Sequence, residues 1–138
     1  EQHNPNQKVI TQVSSSGQKE VVLKRNRMGH YVADGTINGV PVTFLLDTGA
    51  TGVALSPTIA RAAGVGRGQP ITTRTANGTA QGFLTRLDQV TLGDIRQFNI
   101  RATVSPGLAT SEVLLGMSFL KNLEMIQKGD TLTLREAL

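Results

Sequence analysis

The chain has 138 residues, enough for one domain, with 38% hydrophobic residues and a formal net charge of +4. It has no Cys and only two His, His3 and His30, which excludes disulfides, thiol catalysis and Cys-based zinc, and leaves any Ser-His-Asp or multi-His metal centre resting on His30 alone. No apolar run approaches the roughly 18 residues of a membrane span, and the basic residues are scattered apart from Lys24, Arg25 and Arg27; with four Phe, one Tyr and no Trp for stacking, nucleic-acid binding is not expected.

Residues 1–18 are rich in Gln, Asn and Ser, and read as a flexible arm or linker ahead of a domain over 19–138. From Glu20 onward, short apolar stretches are interrupted by Gly, Asn, Asp or Pro about every 8–12 residues, which is a strand pattern. Strands are predicted over 21–24 and 30–37, broken near Met28-Gly29. Asn38-Gly39 suits a tight hairpin turn into 42–46, because both of its central residues need positive φ. The run 42–46 is continuously apolar, as a strand buried on both faces would be. Ser56 is placed to cap a short helix over 58–63, with Pro57 at its first position and Gly64 ending it. Stretches 70–75 and 79–89 flank a second Asn-Gly at Asn77-Gly78, and 90–92 and 95–104 continue the pattern. Then come a short apolar strand over 112–115, one or two helical turns over 117–122, and a last hairpin, 125–127 with 131–134, about Gly129-Asp130. The sum is an all-β fold with one or two short helices.

The chemistry concentrates at Leu45-Leu46-Asp47-Thr48-Gly49-Ala50. A carboxylate ending a buried strand is unusual, because an unpaired buried charge is expensive. Asp47 projects where the strand stops, Thr48 offers a hydroxyl to lock the loop, and Gly49 lets a substrate backbone or a second loop approach. Asp, Thr and Gly are also common at ordinary strand-to-turn junctions, so the bare triplet does not carry the reading. The second element is Leu114-Leu115-Gly116, beginning 67 positions after Asp47, again ending an apolar stretch ahead of a short helix.

In this combination the sequence resembles the retropepsin-like aspartic proteases, the single-lobe branch of the pepsin group, and among them the bacterial members. The resemblance spans about residues 20–136 and implies a closed barrel or sandwich with a β-hairpin flap over 75–82. It implies that Asp47 is the catalytic carboxylate, that Thr48 bridges the two loops of a dimer, and that Gly49 contacts substrate through its backbone. It also implies that Ala50, Leu114 and Gly116 border the substrate, and that Ala76, Asn77, Gly78 and Thr79 close over it. Thr51 and Gly52 stand where viral members have acids, and Met117 where they have the Arg that pairs with one of those acids, so a viral-style substrate hold near Thr51 and one dimer contact are missing together. No metal or cofactor is implied. The bacterial likeness further implies a periplasmic or membrane-anchored setting, with a tether upstream of Glu1.

Peptide hydrolysis of this kind uses one carboxylate as base and one as acid around a shared water. The chain has a single Asp-Thr-Gly, and Asp34, Asp88, Asp94 and Asp130 lack its setting, Asp34-Gly35 and Asp94 reading as turns. A twofold homodimer would supply the second Asp47. The expected function is thus an aspartic endopeptidase acting on peptides or proteins. The competing reading is a non-cleaving module of the same fold that binds a peptide or protein. Apolar residues expected near the cleft are Leu55, Phe83, Val104, Leu108 and Leu114; Phe44, Phe83, Phe98 and Phe119 all read first as core residues, with Phe83, just after the flap, the best pocket candidate among them.

Overall fold

The computed structural model describes residues 3–75, 78–108 and 110–137, with the backbone alone at Thr73 and Thr75. Two sheets enclose one core. The first has the order β1 (Thr11–Val13), β2 (Lys19–Lys24), β11 (Thr131–Glu136), β10 (Leu123–Lys128). The second has the order β3 (Val32–Ile37), β4 (Val40–Leu46), β9 (Val113–Leu115), β5 (Val53–Leu55), β8 (Ile95–Val104), β7 (Gly78–Leu92), β6 (Pro70–Thr75). Pairing of Thr36 with Thr91 and Ile37 with Val90 joins β3 back to β7, so six of these strands close into a barrel with β6 outside it. The all-β expectation and the closed barrel hold.

Local chemistry explains most elements. Asn38 and Gly39 both have positive φ, 51° and 80°, as their turn requires. The helix α1 (Pro57–Ala62) starts on a Ser56 hydroxyl that accepts from the Ile59 N–H at 3.2 Å, a cap that stabilises by about 1 kcal/mol. The second helix, α2 (Met117–Leu120), buries Phe119 and Leu120. The core also holds Phe44, Leu55, Leu87, Leu92, Ile95 and Leu115, all fully buried.

Several expectations are corrected. Asp34-Gly35 lies inside β3, not in a turn; a Cβ on Gly35 would sit 2.3 Å from the Thr91 carbonyl oxygen and 2.5 Å from the Phe44 ring, so the glycine is there for packing. Phe98 is 65% exposed rather than in the core. Strand β5 carries too short an apolar stretch to be predicted, and the stretches 79–89 and 90–92 are one strand. Residues 3–18, read from composition as an arm, lie along the body. The buried Asn6 side chain donates to the Lys24 and Val32 carbonyls at 2.8 and 2.9 Å and accepts from the Lys24 N–H, and β1 pairs with β2. Three saturated hydrogen bonds make burial of that polar side chain tolerable.

Candidate active site

The two sequence motifs meet as parallel neighbours. Phe44, Leu45 and Leu46 of β4 face Val113, Leu114 and Leu115 of β9 in register. The chain then leaves β4, crosses the end of β9, and returns on its other side as β5, where Ala54 faces Leu114. Residues 47–52 form the crossing. It is fastened by the Asp47 N–H donating to the Leu115 carbonyl at 3.0 Å and by the Met117 N–H donating to the Ala50 carbonyl at 2.8 Å.

Gly116 lies directly beneath this crossing. A Cβ there would come within 2.2 Å of the Gly52 carbonyl oxygen and 2.7 Å of that of Ala50, so no larger residue fits without moving the loop. Gly116 thus sets the approach of the two motifs. It is buried, and Leu114 is half-buried beside it.

Asp47 is half-buried at the mouth of the crossing, while Thr48 and Gly49 are exposed. One carboxylate oxygen, Oδ1, accepts the Gly49 N–H at 2.9 Å, and the Ala50 N–H donates to the Asp47 carbonyl at 3.1 Å. Among the described residues Asp47 has no cationic partner, and its one side-chain hydrogen bond among them is on Oδ1. The arrangement is a carboxylate oriented by one backbone donor, on a loop whose tip residues face outward, at a site that a base or acid for water could occupy.

Of the other expected site residues, Ala50 is half-buried, its carbonyl committed to Met117. Gly78 and Thr79 are exposed at the start of β7, where Thr79 faces Arg74 across the β6–β7 hairpin. Ala76 and Asn77 lie outside the described residues. Of the expected cleft residues, Leu55 and Val104 are core, because their strands point them inward, whereas Phe83, Leu108 and Leu114 are half-buried. Phe83 lines a depression of about 390 Å³ with Ala60 and Val65. No group of three or more His, Cys, Asp or Glu suited to a metal occurs among the described residues.

Sequence reasoning missed Glu112, the residue entering β9. It is 5% exposed. Burial opposes its charge, but the Thr110 and Ser111 hydroxyls both donate to it and its carboxyl is held, on balance, below the usual 4.5. Its position ahead of an apolar run was the available signal.

This fold and junction define a retropepsin-like aspartic-protease fold, and comparison with known proteins agrees. The chain belongs to the gag-polyprotein putative aspartyl protease family, whose model matches residues 33–122. It is 30% identical to a retropepsin-like aspartic protease from Rickettsia conorii, with a TM-score of 0.72 over 94% of this chain and 96% of that one. It resembles the EIAV protease complexed with the inhibitor HBY-793 in fold, at 20% identity and a TM-score of 0.54 over 72% of this chain and 92% of that one. Among curated proteins it is 40% identical to an uncharacterized protein in the cobV 5' region of Sinorhizobium sp, over 88% of this chain and 54% of that one. It is 33% identical to the uncharacterized protein RP867 of Rickettsia prowazekii, over 74% of this chain and 45% of that one. The chain therefore spans about half the length of the curated relatives it matches.

Proposed function

We propose that the protein is an aspartic endopeptidase whose active site forms when two copies of the chain bring their Asp47 carboxylates together on a twofold axis. The observation that carries this reading is the in-register parallel pairing of residues 44–46 with 113–115, which ends on Asp47 on one strand and on Gly116 on the other. Two carboxylates in contact cannot both ionise easily, so the pair shares a proton. The ionised member takes a proton from the attacking water, and the protonated member gives one to the substrate carbonyl oxygen. Activity then belongs at acidic to mildly acidic pH.

Thr48, exposed beside Asp47, is the residue this reading assigns to contact between the two loops, and Gly49 leaves room for substrate backbone. Residues 75–82 are proposed as the flap and peptide or protein as the substrate, in a periplasmic or membrane-anchored setting. The test is cleavage of a mixed peptide library, read by mass spectrometry. Wild-type chain is expected to cut, with inhibition by a statine-type transition-state analogue, and Asp47→Asn to be inert while folding normally. Cleavage that survives in Asp47→Asn contradicts the proposal. Tight binding of uncut peptides by wild type would favour the non-cleaving module.

A further inference from the structure

The β7–β8 ribbon gathers basic residues that are far apart in the sequence. Arg86 and Arg101 face each other across it, and like charges directly opposite in an antiparallel pair are unfavourable. Neither has an acidic partner among the described residues. Arg86 Nη1 donates to the Asn99 carbonyl at 3.2 Å, and Arg101 is exposed.

These two arginines are the shared wall of two adjoining surface depressions. One, of about 410 Å³, is also lined by Arg67, whose guanidinium carbon lies 5.2 Å from the centre of the Phe83 ring. The other, of about 380 Å³, is bordered by Lys121, by Phe98 and by Thr51, two residues beyond Gly49. Four cations thus line these two adjoining depressions, which together make the groove considered below, and among the described residues no Asp or Glu lines either. The nearest acid along β7 is Asp88, exposed two residues from Arg86 and outside both depressions. From Phe98 to the level of Leu84 the groove follows about five residues of β8, roughly 17 Å.

We propose that this groove docks an extended acidic segment of a polypeptide, with carboxylates on the arginines and an apolar side chain on Phe98. The unfavourable Arg86–Arg101 pair is relieved once a carboxylate lies between them. The amide side chains of Gln69 and Asn99 along the groove can bond the backbone of such a segment, whereas the Ser118 hydroxyl donates to the Arg101 carbonyl at 2.8 Å and the Asn122 amide to Gln97 Oε1 at 2.8 Å, which leaves their oxygens as acceptors. A single protruding ring offers little for stacking successive bases and little apolar area for a bilayer. That the docked chain is substrate rests on the endopeptidase reading, and the groove's position next to Thr51 leads such a segment toward the Asp47 loop.

The test uses the full chain carrying Asp47→Asn, so that binding is read without cleavage, and a fluorescein-labelled peptide of alternating Glu and Leu followed by anisotropy. Arg86→Gln with Arg101→Gln is expected to weaken binding roughly tenfold, about 1.4 kcal/mol, and to melt no lower than the parent. Lys24→Gln with Arg27→Gln, an equal charge change elsewhere, is expected to leave binding unchanged. Unaltered affinity in the groove variant, equal loss in the control, or tighter binding to phosphatidylglycerol vesicles or to an oligothymidylate than to the peptide overturns the proposal. Peptide binding with no cleavage by wild type overturns the endopeptidase reading alone, and cleavage without groove binding overturns the docking alone.

Discussion

The two ends of the β4–β9 pair each carry a carboxylate, and the two are treated in opposite ways. Glu112, at the entry to β9, is almost fully buried and takes two hydroxyl hydrogen bonds from its own neighbours, Thr110 and Ser111. Asp47, at the exit of β4, is half-buried and takes one, from the Gly49 N–H. Between them run three in-register residue pairs, so both acids sit on one rigid unit. A carboxylate whose oxygens are occupied from within the chain stabilises the fold. A carboxylate with a single hydrogen bond, on a loop that packs directly over Gly116, is the one that the proposed function makes the acid–base group. Under the proposed function, the contrast separates a structural acid, Glu112, from a chemical one, Asp47, more sharply than burial alone would.

Four substitutions would break or sharpen this contrast. Asp47→Asn keeps an oxygen that can accept the Gly49 N–H, so the thermal melt should match wild type, while cleavage falls by roughly 10²–10⁴-fold or more with loss of the acid–base pair. Gly116→Ala should be next, because its Cβ meets the Gly52 and Ala50 carbonyls. A loss of about 1–3 kcal/mol is expected in urea unfolding, with loss of cleavage because the loop beneath Asp47 moves.

Glu112→Gln should cost about 1 kcal/mol at neutral pH and leave the cleavage chemistry intact. Its effect has a pH signature. The folded-state carboxyl is held below its ordinary 4.5, so the unfolded chain takes up the proton first as pH falls. Wild-type stability from this group is therefore full above about 4.5 and is lost as pH drops through the lower folded value. The Gln variant should lack that component, and denaturation at pH 7 and at pH 3 measures the difference. The smallest effect is a gain. Arg86→Glu places an acid opposite Arg101 and should stabilise by about 0.2–1 kcal/mol, visible as a modest rise in melting temperature.

What could be read from the sequence follows the range of the forces involved. The Asp47 loop, the Ser56 cap, the Asn38-Gly39 turn and the span of β8 were all legible, since each depends on a few adjacent residues. Strand β5 was not, because three residues between Gly52 and Ser56 form a strand only through pairing with β8 and β9. Asn6 was hidden for the same reason. Its partners, Lys24 and Val32, are backbone groups that the fold brings to it, and a polar composition says only that the segment is hydrophilic. Leu55 is core because the barrel closes around it, although its apolar character would equally suit a cleft. The basic groove was within reach. Folding the ribbon about the Gly93-Asp94 turn sets Arg86 against Arg101, yet along the chain these residues look scattered.

The central claim is that one active site needs two Asp47 side chains, and mixing tests it most directly. Wild-type and Asp47→Asn chains are combined at constant total concentration, allowed to exchange, and assayed for peptide cleavage. If each site needs two Asp47 side chains, activity falls with the square of the wild-type fraction. Activity falling in direct proportion to that fraction would mean that each chain acts alone, and would contradict it.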